Sequence, residues 1–183
     1  MLSWITIRIK LTMCNLPQRK SSRLKEYDYS NSAYYFITIC IHDKEYYFGN
    51  VHKEKMILNQ YGIIAEECWK DLPSHYSNCE LDYYVIMPNH VHGILVIDNY
   101  NYDKATLPQS KIHGITEIIR GYKTFSSKII NLLPDQEKAF RWQKSYYDRI
   151  IRNEKELHQI RKYIEQNPLR WDIEKNTPDN LDI

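Results

Sequence analysis

The chain has 183 residues, 43% of them apolar, which is enough to bury one good core with at most an appendage. Lysine and arginine total 25 against 23 aspartates and glutamates, a net charge of +2, so a uniformly basic nucleic-acid coat is excluded. No apolar run reaches the ~18–20 residues of a membrane span, and no membrane partner is expected.

The opening MLSWITIRIKLTMCNLP is interrupted by Arg8 and Lys10 and lacks a small-residue cleavage site, so it makes a poor signal peptide. Residues 1–16 read as an N-terminal extension, with Met13 as an alternative initiator that would make residues 1–12 accidental. Residues 18–32 (QRKSSRLKEYDYSNS) are polar and basic with turn formers and read as an exposed arm. AYYFITICI (33–41) is the clearest first strand. A turn at His42–Lys44 leads to a short second strand near Tyr46–Val51.

From Glu54 to Leu72 apolar residues recur at 57, 61, 64, 68 and 72, which predicts an amphipathic helix stopped by Pro73. ELDYYVIM (80–87) is a strand, broken by Pro88 and Asn89, and 90–97 form the next. A linker leads to a second helix over Ile115, Ile118, Ile119, Tyr122, Ile129 and Ile130, its other face carrying Arg120, Lys123, Ser126 and Lys128. A last strand is expected around Tyr146–Ile151. Asn153 with Glu156 then reads as an N-cap and its reciprocal partner. Leu157, Ile160 and Ile164 give the buried stripe of a third helix ending at Pro168, followed by a loose polar tail. This order predicts an α+β fold, an antiparallel sheet with helices packed on one face. One domain, 17–172, is expected, with 173–183 as tail.

Four cysteines (14, 40, 68, 79) show no disulfide-like spacing, and Cys40 and Cys68 fall in apolar patterns as small core residues. A reducing cytoplasm is the simplest setting for them. Between Lys104 and Arg152 ten basic residues stand against four acidic ones. That half could present a basic face to phosphates, although an ordinary solvated surface explains the same counts.

The chemistry concentrates in YYVIMPNHVHGILVI (83–97). Alternate side chains of a strand share a face, so His90 and His92 project together, as a pair of imidazoles able to hold a divalent cation. On the third helix Tyr163 and Asn167 are four apart and stack on one face. A phenol is a weak nucleophile at neutral pH (free pKa ~10). A cation held by two imidazoles and an amide oxygen would orient a phosphodiester for in-line attack. No carboxylate stands out as a general base for Tyr163.

These blocks resemble a known family. MPNHVHGILVI is similar to the histidine–hydrophobic–histidine (HUH) motif of single-tyrosine endonucleases. SYYDRIIRNEKELHQIRKYIEQNPLRW resembles the catalytic-tyrosine region of the REP-associated tyrosine transposases. RLKEYDYSNSAYYFITICIHDKEYYFG resembles their N-terminal block and IIRGYKTFSSKI their middle helix, so the likeness runs over 17–172 in one order. It implies a ferredoxin-like sheet whose C-terminal helix carries the catalytic tyrosine. It implies Mg²⁺ or Mn²⁺ on His90 and His92, and Tyr163 attacking a backbone phosphate of single-stranded or hairpin DNA to leave a 5′-phosphotyrosine and a free 3′-hydroxyl. Asn167 stands where many relatives have a glutamine that completes the metal site; it keeps the amide oxygen but has a shorter reach. Arg19, Lys20 and Arg23 in the arm and Arg120, Lys123 and Lys128 on the second helix become DNA contacts. The resemblance also implies a cytoplasmic, nucleoid-associated, bacterial-type protein, monomer or homodimer, since relatives differ in whether the tyrosine helix serves its own subunit.

Rival readings are a non-catalytic hairpin-binding module on the same scaffold and a zinc hydrolase using the histidine pair. Tyr146 and Tyr147 are rival nucleophiles. Asn167 could equally cap the helix end before Pro168, and the basic helix face meets DNA only if it faces the histidine strand. His42, His52, His75, His113 and His158 have no partner by spacing.

Overall fold

The structure is a computed structural model that describes residues 32–99, 113–134 and 138–176, with side chains as far as residue 173. Strand β1 (Ala33–Cys40) forms from a run of aromatic and then β-branched residues and lies between two partners in a four-stranded sheet. The others are β4 (Cys79–Met87), β5 (His90–Ile97) and β6 (Tyr147–Ile151), and every pairing is antiparallel. The sheet order is β4-β5-β1-β6, or 2-3-1-4 counted along the chain within it, the ferredoxin-like arrangement that the family resemblance implies.

The two faces of the sheet are covered differently. Tyr35, Ile37 and Ile39 of β1 and Val91, Leu95 and Ile97 of β5 point to one side. There they pack on α1 (Gln60–Lys70) through Ala65 and Trp69, and on α3 (Ile115–Ile130) through Ile118, Ile119 and Tyr122. The opposite face holds a smaller cluster in which Phe36, Ile94 and Ile151 meet Ile164 of α4 (Glu154–Glu165). The crossover helices therefore share one face as expected, while the C-terminal helix crosses to the other. His90 and His92 have the parity of Ile94, so they look toward α4.

Two stretches depart from expectation. Residues 55–58 are strand, not helix: β2 (Gly49–His52) and β3 (Lys55–Leu58) form a separate hairpin. Its loop residues Lys53 and Glu54 both have positive φ (49° and 62°), as a two-residue hairpin turn requires. Helix α1 starts only at Gln60, where Asn59 Oδ1 accepts from the Gly62 amide at 3.0 Å. After it, α2 (Leu72–His75) is a single turn carrying Pro73.

The chain also does not loosen after Pro168. It restarts as α5 (Asn167–Asn176), which takes in part of the stretch expected to be tail. Pro168 has no amide to offer the Ile164 carbonyl, so α4 ends at the Gln166 cap; proline fits the first turn of the next helix, where donors have no partner anyway. Cys40 is disulfide-bonded, against the expectation of a reduced core thiol. Separation along the chain does not decide which sulfurs meet in space. Cys68 and Cys79 are free. Among the described residues, no helix is long and apolar enough to cross a membrane.

Candidate active site

Cross-strand register assembles the site. Val85 of β4, His92 of β5, Thr38 of β1 and Tyr147 of β6 stand opposite one another in one row; Met87, His90 and Cys40 form the next. The imidazole centroids are 4.5 Å apart, and each ring is 4% exposed. Neither could be protonated cheaply there. Burial pulls His90 down to about 4, and burial followed by the neighbouring His90 holds His92 well below the ordinary imidazole value.

Each Nδ1 has a protein partner. Asn89 Oδ1 lies 2.7 Å from His90 Nδ1, and the same carboxamide donates through Nδ2 to the Lys44 carbonyl. An amide oxygen only accepts, so the His90 proton sits on Nδ1 and Nε2 keeps its lone pair. Thr38 Oγ1 lies 2.8 Å from His92 Nδ1. We assign the His92 proton to that contact, which leaves Nε2 to accept from the Tyr163 hydroxyl at 3.3 Å. Two neutral imidazoles, each oriented through Nδ1, form the donor set that protein metal sites use. The pair supplies two of the donors that a divalent cation takes. Among the described residues no group of three or more histidine, cysteine, aspartate or glutamate side chains could hold one, so further donors would come from an amide oxygen or from solvent.

Tyr163 is held from several sides. Its ring meets Phe36 edge-on at 6.1 Å and His92 at 5.3 Å, while Phe36 stacks on His92 at 5.4 Å. Helix α4 is tied down at the edge of the sheet. β4 bulges between Leu81 and Tyr84, so those two residues, three apart, both pack toward α1. The bulge turns Asp82 toward α4, where both carboxylate oxygens accept from the Arg161 guanidinium at 2.6–3.1 Å.

Asn167, at 6% exposed, opens α5 one turn beyond Tyr163. That helix is pinned by Trp171, which packs between His90 (5.8 Å) and Tyr46 (5.4 Å). Asp172 also accepts from the Glu54 amide at the hairpin tip. Sequence reasoning proposed His90, His92, Tyr163 and Asn167, of which the structure brings the first three together and places Asn167 at the start of α5. It missed Thr38, Asn89, Asp82, Arg161 and Arg170, whose guanidinium lies 5.3 Å from the centre of the Tyr163 ring. Thr38 had a signal, as the one hydroxyl with an aliphatic neighbour on each side inside strand 33–41.

Among the described residues, those expected to contact DNA are not brought to this site. Arg19, Lys20 and Arg23 lie outside the described residues. Arg120, Lys123 and Lys128 ride on α3, against the opposite face of the sheet from the histidines. Arg120 pairs with Glu117 at 3.8 Å. Lys123 donates to the Gln143 and Lys144 carbonyls at 2.6 and 3.0 Å, and burial lowers its pKa. Lys128 is exposed.

No family model matches the chain. An uncharacterized protein of Haemophilus influenzae Rd is 36% identical over 162 residues, covering 84% of this chain and 90% of that protein. A solved structure of a REP-associated tyrosine transposase bound to a REP hairpin superposes with a TM-score of 0.56 at 18% identity, over 83% of this chain and 74% of the other. A candidate transposase of Deinococcus radiodurans R1 matches at a TM-score of 0.43 and 20% identity, over 80% of this chain and 96% of that one, too loosely to carry an argument.

Proposed function

The chain belongs to one family with the Haemophilus influenzae protein and has the fold of a REP-associated tyrosine transposase, and on that premise we propose that it cleaves and rejoins single-stranded DNA at hairpin, REP-like sequences through a 5′-phosphotyrosine. The observation that carries the proposal is the 3.3 Å contact between the Tyr163 hydroxyl and His92 Nε2. Two strands and a helix far apart in sequence converge to put a phenol beside a pair of oriented, neutral imidazoles. A tyrosine kept only for packing would not need its oxygen there.

Tyr163 is the nucleophile. Its oxygen forms a bond to phosphorus while the bond from phosphorus to the 3′-oxygen breaks. The phenol loses its proton to solvent and the released 3′-oxygen takes one up. One phosphodiester is exchanged for another, so no nucleotide triphosphate is consumed, and the second strand transfer is the reverse step. His90 and His92, with Asn167 as a further donor, would hold Mg²⁺ or Mn²⁺, which when bound supplies charge neutralisation at the phosphate. Phe36 and the half-buried setting of Tyr163 keep bulk water off the phosphotyrosine, so it survives until the second strand arrives. The hairpin bound by the transposase of the same fold supports hairpin DNA as the substrate class.

The test incubates the full chain and Mg²⁺ with a library of hairpin-bearing single strands, followed by denaturing electrophoresis. The proposal expects a covalent adduct, lost in Tyr163→Phe, and sequencing of the released 3′ ends gives the cleavage position. A shifted band on native gels with no adduct would identify a binding module instead, and no interaction at all would leave the transposase reading without support.

A further inference from the structure

We infer that Arg170 is a second catalytic residue, whose guanidinium grips the phosphate that Tyr163 attacks. The inference rests on the reading of Tyr163 as nucleophile and adds to it a residue that belongs to neither the histidine motif nor the tyrosine helix. Three observations carry it. The Arg170 Cζ lies over the Tyr163 ring, 5.3 Å from its centre. The side chain is exposed, and among the described residues no carboxylate pairs with it. Its position is fixed by its neighbour: Trp171 is 5% exposed and wedged against His90 and Tyr46. That sets the rotation of α5 and puts Arg170 one step round the helix.

A guanidinium over the rim of a site built for phosphodiester chemistry, with no carboxylate partner among the described residues, has an evident ligand. The planar fork of a guanidinium matches two non-bridging phosphate oxygens, and a donor aimed at charge that builds up during reaction acts on the rate more than on ground-state binding. The other cations near Tyr163 are placed differently. Arg161 is engaged by Asp82. Lys162 lines an open groove of about 240 Å³ on the outer flank of α4, together with Tyr83, His158, Glu165 and Gln166. Within the described residues, the guanidinium of Arg170 is the cation found over the nucleophile's ring.

The test compares wild type, Arg170→Ala and Arg170→Lys on two substrates: a hairpin strand with a normal phosphate at the cleavage position, and the same strand with an uncharged methylphosphonate there. Adduct formation is measured under single-turnover conditions, and DNA affinity separately by anisotropy. On the phosphodiester, Arg170→Ala should slow adduct formation by about 100-fold or more, with the lysine variant in between, while affinity changes far less than rate. On the methylphosphonate, where no anionic charge needs an ion partner, wild type and Arg170→Ala should converge. A residue that only steadies α5 would produce the same defect on both substrates, and that result overturns the inference, as does an alanine variant equal to wild type on the phosphodiester. Failure of wild type itself to form an adduct would instead bring down the Tyr163 reading and this inference with it.

Discussion

Thr38 shows how much of the site lies in its supports. Its hydroxyl, opposite His92 across β1 and β5, orients the imidazole through Nδ1 and leaves Nε2 facing Tyr163. Valine has the same shape without the hydroxyl. Thr38→Val should leave the fold intact yet weaken Mn²⁺ binding by about 10- to 100-fold, the usual effect of losing such a support, as titration calorimetry would show; Thr38→Ser should restore most of it. Equal affinity in the valine variant would mean that the hydroxyl does not orient the ring. Gly93, between His92 and Ile94, carries a packing demand. A Cβ there would fall 2.3 Å from Cζ2 of the fully buried Trp69. Gly93→Ala should cost about 1–3 kcal/mol through overpacking, read as a lower urea midpoint with an unchanged slope. The histidines were legible as a pair from their alternate positions on one strand, and Tyr163 from its place in the stretch that resembles the family's catalytic-tyrosine region. Thr38 and Asn89 were not, because their roles appear only once the strand register is known.

At the scale of elements, α4 decides whether the phenol reaches the imidazoles. The Asp82–Arg161 pair fastens its middle to the bulge in β4, and Asp82 is only 11% exposed. Asp82→Asn should lower stability by about 1–3 kcal/mol, as for a hydrogen bond to a charged group. It should also slow adduct formation, and a double-mutant cycle with Arg161→Met should show that the two losses are not additive. At the start of α4, Asn153 Oδ1 accepts from the Glu156 amide at 2.9 Å, while Glu156 Oε2 accepts from the Arg152 amide at 3.0 Å. Asn153→Ala should cost about 1 kcal/mol, measured by thermal unfolding. This cap was readable from sequence because all its parts lie within five residues. The β2–β3 hairpin was not: Ile57 has helical spacing to Tyr61 and Ile64, but it is 56% exposed, and Lys53–Glu54 lacks the Asn-Gly signature of a tight turn.

For the molecule as a whole, the element order predicted an antiparallel α+β sheet because alternating strands and helices leave few ways to bury both kinds of apolar face; its ferredoxin-like form was implied by the family resemblance. The element order also read the helices as sharing one face, which holds for α1 and α3 but not for α4. The stripe Leu157–Ile160–Ile164 shows that α4 buries a face, not which side of the sheet receives it, and α3, with an equally clear stripe, lies on the other side. The basic residues of α3 therefore do not sit over the histidine pair, whereas Arg170, just past the end of the third helix that the sequence predicts, does lie over the Tyr163 ring. The central claim is that one phenol, on α4, performs the chemistry. It has a nearby rival in Tyr147, whose ring meets the same Phe36 at 6.4 Å. The most direct test digests the denatured adduct with protease and nuclease and maps the remaining nucleotide by tandem mass spectrometry. The account predicts a 5′-linked nucleotide on Tyr163 alone; a nucleotide on Tyr147 or Tyr146, or a cleaved strand with no modified tyrosine, would contradict it.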